Sequence, residues 1–237
     1  TQGGDITFWS DSDNNSTGVC GVTGSTVESN GGNIVFGGGT DPTTDEAIGL
    51  RGVEIHSVSS LNAGSGSILI RGRSSGATEF GRGVRVENST LTASGDVSIT
   101  GFGGGTTGLA NHGVFLSGAT LNISGTGSTS ITGTGGPSTG STNFGVYITG
   151  ANINGLGSGA MNITGTAGGT GASTDNDGIH ISNTSTIQSG SGTMTLTGTV
   201  GMGNASEGIV FYDPNPAPTN NQTLGHTTNQ TGEIILR

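Results

Sequence analysis

Short alternations of apolar and polar residues run through the whole chain, each ended by Gly, Ser, Thr or Asn. Residues 113–133 (Gly-Val-Phe-Leu-Ser-Gly-Ala-Thr-Leu-Asn-Ile-Ser-Gly-Thr-Gly-Ser-Thr-Ser-Ile-Thr-Gly) hold three of them. Period-two alternation over a few residues is the mark of a strand with one buried face. The pattern then returns at a steady interval. Glycines opening an alternation stand at Gly52, Gly83, Gly113, Gly145, Gly178 and Gly208, in steps of 31, 30, 32, 33 and 30 residues. A fixed step of this size, built from strands alone, predicts a solenoid.

Aligning the chain on that step gives three strands per turn. Strand A carries the inward pairs Ile6/Phe8, Ile34/Phe36, Ile68/Ile70, Val97/Ile99, Thr129/Ile131, Met161/Ile163, Met194/Leu196 and Ile234/Leu236. Strand B carries Val53/Ile55, Val84/Val86, Val114/Leu116, Val146/Ile148, Ile179/Ile181 and Ile209/Phe211. Strand C is marked by Val27, Leu61, Leu91, Leu121, Ile153, Ile187 and Leu224, each preceded by a small polar residue. One turn cannot cover its own apolar residues, whereas stacked turns cover one another, with equivalent strands paired in parallel about 4.8 Å apart. The expectation is an all-β, right-handed parallel β-helix of about seven turns of 30–33 residues, forming one domain over residues 1–237.

The Gly/Ser/Thr-rich segments after strand A read as surface loops, where function often sits. Asn111, Asn143 and Asn176 stand two before an opening glycine and read as a turn ladder, because Asn tolerates positive φ. Asp213 to Pro218 holds three prolines and reads as a bulging loop.

Composition narrows the picture. With 50 Gly and 29 % hydrophobic residues the chain could pass for a linker, but the regular alternation argues against disorder. Gly, Ser, Thr and Asn are assigned to turns and outward faces. There is no Lys, and six Arg against 16 Asp and Glu give a net charge of −10, which is wrong for a nucleic-acid binder. It leaves room for divalent cations. The lone Cys20, beside Val19 and Val22, excludes an internal disulfide and reads as a small buried hydrophobe. No apolar run is long enough to cross a membrane as a helix. The start at Thr1, without Met, suggests a processed or excised piece.

The segments 32–39 (Gly-Asn-Ile-Val-Phe-Gly-Gly-Gly), 95–101 (Gly-Asp-Val-Ser-Ile-Thr-Gly) and 160–169 (Ala-Met-Asn-Ile-Thr-Gly-Thr-Ala-Gly-Gly) resemble the repeats of large secreted bacterial β-helix surface proteins, similar to filamentous-haemagglutinin-type adhesins. The resemblance is one of repeat style and covers nearly the whole chain. It implies a right-handed β-helix, export to the cell surface or matrix, and adhesion or fibre formation.

Several surfaces could carry chemistry. Outward along strand B stand Glu54, Arg85, Phe115, Tyr147, His180 and Val210, so Arg85, Phe115, Tyr147 and His180 stack in successive turns. Such a stripe suits a glycan or a partner held by aromatic faces and cation–π contact. Cross-strand pairing or cover by a loop would equally account for it. Strand A shows an outward array, Ser98/Thr100, Ser130/Thr132, Asn162/Thr164 and Thr195/Thr197, like those of ice-binding β-helices, although Thr also favours strands for its own reasons. Asp11, Asp13 and Asn15, followed by Gly18, place oxygens at alternate positions, as a Ca²⁺ loop would. The remaining acids are scattered, and His56, His112, His180 and His226 fall in different phases of the repeat and are not expected to meet. No enzyme is therefore expected, a polysaccharide-degrading one included. Because the first and last strands are both strand A, Ile234 and Leu236 could stack on Ile6 and Phe8 of another copy or an adjoining segment, giving a filament. The reading is a structural or adhesive extracellular β-helix, with a carbohydrate-binding module as the alternative.

Overall fold

A computed structural model describes residues 3–13, 15, 18–76, 79–202, 205–212, 222–226 and 232–237. Among them all regular structure is β, arranged as three sheets that wind into a parallel β-solenoid. Sheet A runs in order from Ile6–Trp9 through Ile34–Gly37, Ile68–Ser74, Val97–Phe102, Thr129–Thr134, Met161–Thr166 and Met194–Thr199 to Ile234–Leu236. Sheets B and C hold seven strands each, from Cys20–Thr23 to Ile209–Tyr212 and from Thr26–Glu28 to Thr223–His226. Every pairing is with the equivalent strand one turn away.

The register puts like on like. Val84, Val114 and Val146 are direct partners and have no exposed surface. Ile99, Ile131 and Ile163 face them from sheet A, and Leu91, Leu121 and Ile153 from sheet C, all fully buried. Burying one such side chain contributes roughly 1.5–3 kcal/mol, so each added turn brings its own share of a continuous core.

Four local features depart from the sequence reading. Cys20 and Val22 form strand B of the first turn, a strand outside the repeat of opening glycines. Burial pushes the Cys20 thiol pKa up, and its Sγ donates to the Phe8 carbonyl at 3.3 Å, so the residue is an inert core group. An extra strand, Ala47–Gly49, continues sheet A after a detour through residues 38–46 and pairs with Gly72 to Ser74. Asp45 caps that detour by accepting the backbone N–H groups of Thr40 and Asp41, and Asp41 accepts that of Thr43. In the last turn Phe211 and Leu236 hold inward phases but are 43 % and 53 % exposed, because no described turn lies over them. The segment Asp213 to Pro218 lies outside the described residues.

The fourth departure concerns glycine, which is not confined to turns and outward faces. Where sheet A hands over to sheet B, two glycine columns press backbone on backbone. A Cβ built on Gly133 would lie 2.0 Å from the Gly145 carbonyl oxygen, and one on Gly113 would lie 2.2 Å from the Thr134 nitrogen. The same contact recurs at Gly101, Gly165 and Gly198. Any side chain there would force the sheets apart.

Gly133→Ala should therefore lower the unfolding free energy by about 1–3 kcal/mol, as overpacking does. Leu121→Ala should cost about 2–5 kcal/mol through the cavity it leaves. Ser130→Ala, on the outward face of the same strand as Gly133, should be near neutral. Urea unfolding of the three variants checks the ordering.

Candidate ligand-binding groove

Between sheets A and B each turn makes an excursion, and successive excursions stack into a side lobe. Its spine is the column Gly81, Asn111, Asn143, Asn176 and Ser206. The Gly81 N–H donates to Asn111 Oδ1 at 2.8 Å, the Asn111 N–H to Asn143 Oδ1 at 3.2 Å, the Asn143 N–H to Asn176 Oδ1 at 3.0 Å, and the Asn176 N–H to Ser206 Oγ at 3.0 Å. All three asparagines are fully buried. Each side chain thus substitutes for a strand bond where the backbone cannot pair directly. The ladder expected from sequence exists, but positive φ falls one residue earlier, at Phe80 (54°), Ala110 (60°), Thr142 (60°), Asp175 (53°) and Ala205 (52°). Such conformations cost non-glycine residues of order 1–3 kcal/mol each and persist only where neighbours over-determine them. The asparagine ladder is that determinant.

These five residues form one wall of a groove of about 850 Å³ whose floor is the outer face of sheet B. Two columns of side chains make the floor. One is the predicted stripe. The other comes from the residue just before each opening glycine: Arg82, His112, Phe144, Asp177 and Glu207. The columns interlock. Phe115 and Tyr147 lie 5.4 Å apart, Tyr147 and His180 5.2 Å, Phe144 and His180 stack at 4.4 Å, and His112 and Phe144 at 5.1 Å. Stacking of this kind adds about 0.5–1.5 kcal/mol per pair beyond area burial.

The groove is electrically polarised along the axis. At its N-terminal end the Arg82 guanidinium carbon lies over the Phe115 ring, 3.8 Å from the centroid. Arg51 and Arg85 both pair with Glu54, at 3.1 and 3.0 Å, and Arg85 also with Glu87. Arg82 has no carboxylate partner among the described residues, and its buried Nε makes no hydrogen bond. Burial, then the charges of Arg85 and Arg51, lowers its pKa to about 10, so it remains a cation at neutral pH. In the middle His112 is buried and held well below its usual pKa, first by burial and then by Arg82 and His180. It is neutral, and its Nδ1 accepts the Phe144 N–H at 3.3 Å. At the far end the Asp177 carboxylate meets His180 Nδ1 at 2.7 Å and accepts the Glu207 N–H at 2.9 Å. The Glu207 carboxyl is hydrogen-bonded to that of Asp177, which raises its pKa.

Of the predicted stripe, Phe115, Tyr147 and His180 share the groove, while Arg85 is occupied by carboxylates. His112 and His180 share the groove despite their different phases, because adjacent phases are adjacent columns; their rings do not touch but each stacks on Phe144 between them. The second column was legible in principle as the position before each glycine, but it shares no chemical type from turn to turn. The hydroxyl array of sheet A is in register, Ser98 to Thr195 and Thr100 to Thr197. Near Asp11, the Asn15 side-chain amide donates to Asp13 Oδ2 at 2.7 Å, engaging one oxygen of the supposed cation loop. Among the described residues no group of three or more His, Cys, Asp or Glu is gathered as a metal would need. Asp41 and Asp45 are explained by their turn, and Glu46 by Arg71 and Arg73.

Buried, neutral His112 makes stability fall with acid. The unfolded chain takes up a proton near pH 6.5 that the folded chain does not, so stability is intact above that pH and drops as pH falls through it. The slope approaches about 1.4 kcal/mol per pH unit for one proton. In chemical denaturation between pH 7.5 and 5, His112→Gln should be less stable at neutral pH, with the gap to the wild type closing towards pH 5.

No family model matches this chain, and no curated protein or solved structure matches it.

Proposed function

We propose that this chain is an adhesive β-solenoid segment that holds an oligosaccharide in the sheet B groove. The reading rests on one observation, the unbroken tract of rings Phe115, Tyr147, His112, Phe144 and His180 within a groove of about 850 Å³ flanked by charged hydrogen-bonding groups. That volume is typical of small-molecule sites. Tyr147 and His180, part-exposed over the buried rings of His112, Phe115 and Phe144, suit the apolar faces of sugars, while Arg, His and carboxylates suit hydroxyl groups. An extracellular setting follows the likeness to secreted adhesins.

A second reading concerns the ends. Leu236 and Phe211 are 53 % and 43 % exposed in inward phases, and Ile6 and Phe8 are half-buried at the opposite end. A further solenoid turn, from a second copy or an adjoining segment, would cover them and pair the strand edges.

On a glycan array, wild-type protein should give defined signals, and Tyr147→Ala should weaken them by about tenfold or more while circular dichroism stays β-rich. Unchanged signals would remove the groove from the binding. For the ends, sedimentation at rising concentration should show end-to-end species that Leu236→Asp abolishes.

A further inference from the structure

The groove's two ends are chemically opposite, one cationic and one anionic. Of the described arginines along sheets A and B, Arg51, Arg71, Arg73 and Arg85 each meet a glutamate. Arg82 and the chain-end Arg237 do not, and of these two it is Arg82 that lines the groove. Its guanidinium carbon lies 5.4 Å from the Phe80 ring centroid and 3.8 Å from that of Phe115, so ring contacts hold its position before any ligand arrives. A fixed, partly desolvated guanidinium without a counter-charge is suited to a carboxylate or similar planar anion. Three turns further along stand Asp175 and Asp177, and four turns along Glu207, gathering negative charge at the other end of the same groove. At about 4.8 Å per turn these lie roughly 14 and 19 Å from Arg82, so a short oligosaccharide can touch both ends.

We infer that the groove selects an oligosaccharide with a single acidic sugar at one end, its carboxylate on Arg82 and its neutral sugars running towards Asp177 and Glu207. This inference rests on the oligosaccharide reading above and adds to it both polarity and a charge limit. The acidic sugar's ring lies against Tyr147, the part-exposed ring beside Arg82 and the buried Phe115. Hydroxyl groups of the following sugars donate to Asp177 and Glu207, which accept but repel a second anion. A polyanion is therefore disfavoured twice, by those carboxylates and by the net charge of −10. A wholly neutral chain leaves Arg82 desolvated and unpaired.

Titration calorimetry with three oligosaccharides of equal length tests this: one neutral, one with a single terminal uronic acid, and one polyuronate. The singly acidic ligand should bind about tenfold or more tighter than the other two, the scale of one charge-assisted hydrogen-bonding contact. Arg82→Gln should erase that preference, and Asp177→Asn should improve polyuronate binding. Equal binding of neutral and singly acidic ligands would overturn the inference and leave the oligosaccharide reading standing. Tightest binding of the polyuronate would also overturn it. Failure of all three to bind would overturn the underlying reading as well. Should Arg82→Gln not fold, the wild-type ranking of the three ligands still decides.

Discussion

The structure depends on one interaction, the parallel pairing of each strand with its equivalent one turn away. Everything else is a consequence of that register. It sends apolar residues onto apolar residues, so Val84, Val114 and Val146 become one stack rather than three isolated contacts. It also sends outward residues onto outward residues, which turns a scattered set of aromatic and charged groups into a continuous floor. A one-residue slip would exchange the two sets, because side chains alternate across a strand.

Where the backbone leaves regular strands, side chains and glycine keep the turns in step. The buried Asn111, Asn143 and Asn176 bridge the lobe with the same axial direction as the strand bonds. They hold Ala110, Thr142 and Asp175 in left-handed conformations that those residues would not choose. The glycine columns around Gly113 and Gly133 let sheets A and B meet at backbone distance. Together these devices bring the lobe edge against sheet B, and the groove is the space between them. The binding surface is thus a by-product of how the solenoid turns its corner.

Much of this was legible in the sequence, for a physical reason. Inward phases must be apolar in every turn, so strands A, B and C announce themselves by repetition, and the outward stripe of Phe115, Tyr147 and His180 follows once the inward residues are known. Groups whose type changes from turn to turn do not announce themselves. Arg82, His112, Phe144, Asp177 and Glu207 share a position but no chemistry, and only their stacking in space makes them one surface. The first-turn strand at Cys20 was missed because Gly18 and Val19 do not repeat the usual opening. The strand at Ala47 was missed because it exists only to rejoin sheet A after a detour. The glycine columns were misread because glycine in a buried backbone contact looks, in sequence, like glycine in a turn.

The central claim is that residues about thirty-one positions apart lie one strand spacing apart along a common axis. Nitroxide labels on outward residues of sheet A, in a Cys20→Ala background, test it most directly. Thr100 and Thr132 are register partners, whereas Thr100 and Thr197 are three turns apart. Strong dipolar broadening is predicted for Thr100→Cys/Thr132→Cys, at about 4.8 Å between backbones, and much weaker broadening for Thr100→Cys/Thr197→Cys, at about 14 Å. Equal broadening in the two pairs, or none in the first, would contradict the stacked-turn architecture and the groove built on it.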